Sequence, residues 1–403
     1  MIFTSGNSIA SNRVSTPANR VLLSLSAAAL VALWVLDYAS FQANRIMPGT
    51  GKGLVESLDL GASLLLSMVL LLICACGWRA TRTRLLMAML LTTLMLLSLP
   101  LTLQLFAHNH IPSDQPIARA GLGPGFWVLL FFLCLLLIEC LQRLHAPVWW
   151  RLLIMAAVLT SVGWFVHSGR LDELALLREY NSRSRQFGTA LRGHLLLVAG
   201  AVGTSLVLGF VLAVQMLRRP GWQKPVLGVL SFFQTIPSLA LFGLLIAPLS
   251  MLSVQFPWLQ QFGIRGIGWA PAVLALIGYS LLPMVRNTWV ALDSVPVGIM
   301  EAARGMGMSP IQAFLRVRLP LAVPVIIEGV RITSIQAIGL TAVAALIGAG
   351  GFGTFIFQGL GQTANELILL GAIPTILLAL LADMTFTALS AAAGRHQGAQ
   401  TPT

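Results

Sequence analysis

Two charged residues inside a long apolar run are the first candidates for chemistry. Glu328 and Arg331 are three positions apart, so a helix would place them on one face as an ion pair, with Gln336 near that face. A charge within a bilayer is costly and usually marks a path for a solute or an ion. Two interpretations stay open: the pair lines or gates a path, or its members only neutralise each other. For Arg286 we favour a side chain that reaches the membrane surface.

A polar stretch at residues 301–320 is the second candidate. Ser309, Pro310 and Gln312 have the order of a helix N-cap, a first helical position and a capping-box partner. We therefore predict a short helix that begins at Pro310. It should end no later than Arg318, because Pro320 lacks the N–H that a continuing helix needs. A preceding short helix is predicted over residues 297–304, with Gly305 and Gly307 available for the left-handed residue that ends it.

The resulting elbow of two short helices is predicted to have one apolar and one polar side. The apolar side would be formed by Ile299, Met300, Ala303, Phe314 and Val317, and the polar side by Glu301, Arg304, Arg316 and Arg318. Small residues permit the close approach of another protein, and a carboxylate can pair with a basic group across an interface. Capping and composition alone leave a partner-binding elbow and a loop without a partner about equally favoured.

Motifs for catalysis are missing from the sequence. Residues 48–54, PGTGKGL, partly resemble a phosphate-binding loop, but Ile46 and Gly53 stand where Gly and Ser or Thr are required, which indicates a turn outside the membrane. The chain contains no HExxH motif, no GxSxG motif and no spaced cluster of metal ligands. We predict that the chain is not an enzyme and that it binds no cofactor itself.

The composition predicts a polytopic membrane protein. Hydrophobic residues make up 57% of the 403 residues and charged residues 9%, whereas a soluble domain has roughly 25% charged residues. The net charge of +12 comes from basic residues that separate apolar runs, so we expect no nucleic-acid partner.

Apolar runs long enough to cross a hydrocarbon core, about 20 residues, recur about ten times. Because backbone groups in lipid must be satisfied internally, each run is expected to be a helix, and the predicted fold class is all-α. The predicted spans begin near Arg20, Leu58, Leu85, Gly125, Arg151, His194, Val226, Ala270, Leu321 and Glu366.

A change in composition divides the chain near the charged segment 170–193. The runs before it, within residues 1–169, are rich in Leu, whereas those within residues 194–394 contain many Gly and Pro residues. Since small residues allow close helix packing, we predict an N-terminal membrane region of about five spans and a packed core of about five spans. Residues 170–193 would be an external connector that could form a surface helix, and residues 395–403 a tail. A single bundle made of both halves is the alternative.

The distribution of Lys and Arg predicts the orientation. The span ends that carry more of them include Arg82, Arg219, Lys224 and Arg316, and such ends usually face the cytoplasm. We therefore predict a cytoplasmic (inner) membrane protein with both termini and residues 301–320 in the cytoplasm.

The same polar stretch resembles the EAA loop of ABC-importer permeases, E-A-A, three residues, G, nine residues, I-x-L-P. Six residues match at that spacing, and Val317 stands where Ile is usual; the six are Glu301, Ala302, Ala303, Gly307, Leu319 and Pro320. In that family the loop forms coupling helices that sit in a groove of a separate ATPase subunit. The resemblance implies that this role belongs to those residues together with Gly305 and Ser309.

Two further stretches, residues 234–249 and 346–360, resemble segments of the permeases for glycine betaine, carnitine, choline and related osmoprotectants. This resemblance covers roughly residues 193–392, and the five leading spans match the long permeases of the branch. It implies that the C-terminal five spans form a type I ABC-importer permease core, in which Gln234 and Pro237 join Glu328, Arg331 and Gln336 as candidates for the path.

The resemblance also implies the partners: a cytosolic ABC ATPase that binds ATP and magnesium, a second permease that is identical or homologous, and an external solute-binding protein. An importer for another small solute, such as an amino acid or methionine, is one alternative. A secondary transporter is another, and it would need ion-coupling carboxylates, for which Glu139, Glu328 and Asp383 are the candidates.

Overall fold

The computed structural model describes residues 18–398, apart from residues 46, 48, 80, 113, 114 and 116. Arg13, Ile46, Pro48 and residues 399–403, on which parts of the predicted orientation, turn and tail depend, lie outside the described residues. The chain divides into two compact units between Leu177 and Arg178.

The first unit consists of apolar helices and one small sheet. Its helices are α1 (Arg20–Val35), α2 (Leu54–Leu58), α3 (Leu60–Gly77), α4 (Arg82–His110), α5 (Pro124–Arg143) and α6 (Val148–His167), and α7 (Ala175–Ser182) spans the boundary. Three short antiparallel strands, β1 (Ala39–Gln42), β2 (Thr50–Lys52) and β3 (Arg119–Leu122), pair in the order β2-β1-β3. This sheet was not predicted from the sequence, and the turn predicted at residues 48–54 is wrong for residues 50–54, which form β2 and the start of α2.

A continuous apolar core holds the first unit together. Leu22 and Leu33 of α1, Leu70 of α3 and Leu129 of α5 are fully buried in it. The Tyr38 hydroxyl shares a hydrogen bond of 2.6 Å with the Thr102 hydroxyl, which joins the start of the sheet to α4. Burial raises the pKa of Tyr38 above its ordinary value, because the charged form would lose its hydration.

The second unit contains α8 (Ser184–Arg218), α9 (Gln223–Thr235), α10 (Ser238–Gln255), α11 (Trp258–Gln261), α12 (Trp269–Asp293), α13 (Val297–Gly305), α14 (Pro310–Ala313), α15 (Leu319–Ala344), α16 (Gly353–Gln362) and α17 (Asn365–Gly398). Within it, α12 packs against α8 and α15, and α15 packs against α17.

A Cβ at Gly209 would lie 2.7 Å from the Met284 side chain, and one at Gly329 would lie 2.8 Å from Cβ of Asn287. Glycine therefore sets the closest approaches of α12 to its neighbours.

The mostly helical membrane fold is confirmed, with two changes to the predicted spans. Within residues 18–398, nine helices are long and apolar enough to cross a membrane, and α1 is a shorter apolar helix of 16 residues. The span predicted to begin at Val226 instead begins at Ser238. Ile236 is extended (φ −74°, ψ 127°), as expected for a residue that precedes proline, so Pro237 separates α9 from α10.

The predicted end of the helix before Pro320 is wrong. Residues Phe314–Arg318 form a π-helical turn that joins α14 to α15 without a break, and the Leu319 N–H donates to the Phe314 carbonyl, five residues back. In a π turn an N–H donates to the carbonyl five residues back instead of four. The helix therefore accommodates the missing N–H of Pro320 at this change of hydrogen-bond register. The second arm of the elbow is therefore continuous with α15.

Candidate functional site

The turn between α13 and α14 is fixed by local hydrogen bonds. The Ser309 N–H donates to Oε1 of Gln312 over 2.9 Å, and the Gln312 N–H donates to Oγ of Ser309 over 3.3 Å, which confirms the predicted capping box. At the end of α13, the Met308 N–H donates to the Ala303 carbonyl and the Gly307 N–H to the Arg304 carbonyl, the two bonds of a Schellman motif. Gly307 is the left-handed residue (φ +80°), and Gly305 lies inside the helix.

A small apolar core stiffens this elbow. Val295, Met300, Ala303 and Ala313 are buried together, with Met308, Val317 and Leu321 packed against them. Two predicted members are wrong: Ile299 is 42% exposed, and Phe314 packs instead with the cluster that contains Ala291 and Leu292. Phe314 continues the helical geometry of α14 (φ −66°, ψ −52°), and its N–H donates to the Pro310 carbonyl.

The opposite surface of the elbow is exposed and largely apolar. Glu301 and Ala302 are exposed, and Met306 is 71% exposed. The other exposed large apolar residues around them are Val297, Ile299, Ile311 and Leu315. Arg304 and Arg316 of the predicted polar side are exposed as well, and Arg318 is half-buried. A surface that mixes exposed apolar and charged residues has the composition of a protein-binding site.

An ion network within the second unit is the other candidate site. Nε of Arg331 donates to Oε2 of Glu328 over 2.7 Å, as the spacing predicts, and Nη1 donates to Oδ1 of Asp383 on α17 over 2.5 Å. The side chains of Arg331, Glu328 and Asp383 are 29%, 37% and 39% exposed. Two carboxylates share one guanidinium, so the network has a formal charge of −1. Its third member could not be assigned from spacing, because Asp383 is 52 residues from Arg331.

The remaining predicted path residues lie elsewhere in the second unit. Gln336 is half-buried on α15, five residues beyond Arg331, and Arg286 on α12 is exposed. Nε2 of Gln234 donates to the Tyr279 carbonyl over 3.1 Å, and the Tyr279 hydroxyl donates to the Ile236 carbonyl. Tyr279 therefore ties the break at Pro237 to α12, and the sequence analysis missed it.

A glycine-rich turn follows α15 at its other end. Gly348, Gly350 and Gly351 all have positive φ, and a Cβ at Gly353 would overlap the Ala342 carbonyl oxygen. The fully buried His194 accepts a hydrogen bond of 3.4 Å at Nδ1 from the Phe352 N–H, which links α8 to this turn. His194 was also missed, because one histidine in an apolar run gives no signal of its own.

Glu139 in the first unit is hydrogen-bonded to two side chains. Its Oε1 accepts hydrogen bonds of 2.9 Å from Nδ2 of Asn19 and from Nε of Arg143. Oδ1 of Asn19 in turn accepts from the Val21 and Leu22 N–H groups at the start of α1. This network caps and connects helix ends, which gives Glu139 a structural role in the first unit.

Two family models match the chain, and their ranges follow its two units. Residues 18–177 match the N-terminal domain of the ABC transporter permease YehY, and residues 205–395 match the binding-protein-dependent transport system inner membrane component. The second range contains both the elbow and the ion network.

The curated relatives match about half of the chain. The osmoprotectant import permease protein OsmW of Salmonella typhimurium is 43% identical over 190 residues, which are 47% of this chain and 83% of that protein. The carnitine transport permease protein OpuCB of Listeria monocytogenes is 36% identical over 47% of this chain and 80% of its own. The glycine betaine/carnitine/choline transport system permease protein OpuCB of Bacillus subtilis is 34% identical over the same shares. This chain therefore belongs to the family of inner membrane components of binding-protein-dependent transport systems, and it is a multi-pass permease of an ABC importer.

Proposed function

We propose that this permease moves glycine betaine or a related quaternary ammonium solute across the cytoplasmic membrane. The observation that carries the proposal is the 43% identity to an osmoprotectant import permease across most of that protein's length. The names of the other relatives give carnitine, choline and glycine betaine as their solutes, which share a quaternary ammonium group.

The elbow is proposed to be the contact with a separate cytosolic ATPase, which would bind the ATP and magnesium. Glu301 would pair with a basic group of the ATPase, and the exposed apolar residues around it would be buried in the contact. Because the π turn makes α14 continuous with α15, a displacement of the elbow would reach the span that carries Glu328 and Arg331. Transport would follow when closure of the ATPase on ATP rocks the bundles.

A complete importer would contain a second permease, identical or homologous, and an external solute-binding protein. The predicted orientation, with both termini and the elbow in the cytoplasm, would place the glycine-rich turn of residues 348–353 at the outer face, where the binding protein delivers solute. The support for this orientation is the excess of Lys and Arg at the span ends on the elbow side.

Glu328, Arg331 and Asp383 are proposed to line or gate the path. All three side chains are about a third exposed although they lie within apolar helices. A lipid-facing position for such groups would be costly, so we expect their exposed side to face water or another protein chain. Their net negative charge would favour a cationic group over an anionic one. Gln336, Gln234 and Pro237 stay candidates for the same path.

Reconstitution tests the proposal. The purified permease, ATPase and binding protein in liposomes should take up radiolabelled glycine betaine only with ATP inside, and choline or carnitine should compete whereas methionine should not. We expect Glu301→Gln to reduce uptake at least about tenfold, the effect of losing one charged contact. Glu56→Gln is the matched control, since Glu56 is an exposed carboxylate of the first unit. Uptake that proceeds without ATP would support a secondary transporter, and competition by methionine alone would support another solute class.

A further inference from the structure

An apolar groove lies where α8 ends and α9 begins. It has a volume of about 510 Å³, within the range of about 300–1,000 Å³ that small-molecule sites occupy. The groove is lined by Leu212, Gly221, Trp222, Pro225, Val226, Val229 and Leu230. Val226 and Leu230 also join the cluster that packs α9 onto α12, so the floor of the groove is held in place by the core of the second unit.

Three basic residues are next to the groove-lining residues in the chain. Arg218 is the last residue of α8, Arg219 follows it, and Lys224 lies in the first turn of α9 next to Pro225. The guanidinium carbon of Arg219 lies 6.0 Å from the centre of the Trp222 ring, so one positive charge is held beside the groove wall. All three are exposed, and within residues 18–398 no carboxylate lies within ion-pair distance of them.

The depth of the groove matches the outer part of a lipid layer. Leu212 lies six residues before the end of α8, which corresponds to about 9 Å along the helix. Groups that bury an apolar face at the boundary of headgroups and acyl chains reach about 5–10 Å into the membrane. With the end of α8 at the membrane surface, Trp222 would lie at the level where tryptophan is enriched, and the basic residues would lie at the level of the headgroups.

From this arrangement we infer that the groove is a binding site for one anionic glycerophospholipid. The acyl chain lies along Leu212, Val226 and Val229, and Arg218, Arg219 and Lys224 contact the phosphate and the acidic headgroup. Basic residues next to a membrane attract anionic lipids, and the attraction grows with each added Lys or Arg. A second copy of the chain fits less well, because a two-fold contact would bring the same three positive charges of both copies together.

Gly221 allows the groove to be filled without disturbing the backbone. No atom lies within 4 Å of the position that a Cβ would take at Gly221, and its φ is not positive. Gly221→Leu should therefore fold and occupy the groove. Gly228→Leu is the matched control, because Gly228 lies nearby on α9, has equal space around its Cβ and does not line the groove.

The test measures lipid retention by native mass spectrometry on the full-length chain, purified in detergent and supplied with equal dioleoyl phosphatidylglycerol and dioleoyl phosphatidylcholine. We expect the unaltered chain to retain the phosphatidylglycerol preferentially. Replacing Arg218, Arg219 and Lys224 by Gln should lower that preference at least about tenfold, a conservative value for three lost charges. Replacing Arg79, Arg82 and Arg84 by Gln removes the same charge from another span end and should leave the preference unchanged.

Gly221→Leu provides the second arm, which does not depend on the charges. It should remove the retained phosphatidylglycerol, while Gly228→Leu should keep it. An unchanged preference in the Arg218, Arg219 and Lys224 variant, or full retention in Gly221→Leu, overturns the inference. A shift of Gly221→Leu from a dimer mass to a monomer mass also overturns it, since the groove would then be a contact between two permeases.

Discussion

The two units of this permease are built in different ways from the same apolar residue types. The first unit buries its long helices in one continuous core, and its intramembrane carboxylate, Glu139, is held by Asn19 and Arg143 at helix ends. The second unit divides its core into several smaller clusters. Its ion network is about a third exposed.

From this difference we expect the second unit to be the one that moves during transport. Helices whose buried residues form several separate clusters can shift against each other more readily than helices that share one continuous core. The family that covers the second unit is the transport component, which agrees with this division of labour.

The largest effect is expected at Gly353. A Cβ there would overlap the Ala342 carbonyl oxygen, and because the obstacle is backbone, no side chain can move aside. We expect Gly353→Ala to destabilise the second unit by about 2 kcal/mol or more, as in other overpacked sites. Gly361→Ala, with open space around its Cβ, should not destabilise it. Thermal unfolding in detergent measures both, and equal midpoints would contradict the packing described for this turn.

Arg331→Gln should have the next largest effect. The change leaves Glu328 and Asp383 as two unpaired carboxylates within the spans, and we expect at least about a tenfold loss of glycine betaine uptake at matched expression. Arg143→Gln in the first unit removes the equivalent partner of Glu139 and should leave most uptake intact. If the two variants transport equally, the proposed difference between the networks is wrong.

Gly307→Ala should have a smaller effect, on the elbow alone. Its φ of +80° is strained for any residue with a Cβ, so we expect a loss of about 1 kcal/mol in the stability of the turn and weaker stimulation of the ATPase. Gly305→Ala lies inside α13 with no atom near its Cβ. It should leave stability unchanged or slightly raised, and any loss of ATPase stimulation it causes would place the partner against Gly305.

Tyr38→Phe should have the smallest effect. It removes the hydrogen bond to Thr102, which is worth about 0.5–1.5 kcal/mol, and should lower the unfolding temperature of the first unit without changing transport. The raised pKa means that the folded chain binds the phenolic proton more tightly than the unfolded chain. The stability from this group is therefore complete below the unfolded pKa of about 10 and declines above it, a decline that Tyr38→Phe should lack. Unfolding midpoints at rising pH measure this.

Features that depend on nearby residues could be predicted from the sequence. The capping box of Ser309 and Gln312, the ion pair of Glu328 and Arg331, and most of the spans follow from spacing and hydrophobic runs. Their interactions are local, so the chain encodes them within a few residues.

Features that depend on distant residues could not be predicted. Asp383 meets Arg331 only because α15 packs against α17, and the π turn before Pro320 replaces a helix end that local rules favour. The sheet of the first unit consists of strands of three or four residues, too short to produce a periodic signal. In each case tertiary packing decided between local alternatives.

The most direct test of the central claim is a crosslink from the elbow. In a chain with Cys74, Cys76, Cys134 and Cys140 replaced by serine, Met306→Cys should crosslink to the ATPase and should resist an impermeant maleimide added outside intact cells. Phe262→Cys should be labelled by that maleimide and should not crosslink to the ATPase. Phe262 is exposed in the loop before α12, and the elbow follows the opposite end of α12. Labelling of Met306→Cys from outside, or the absence of any crosslink to the ATPase, would contradict the proposed coupling.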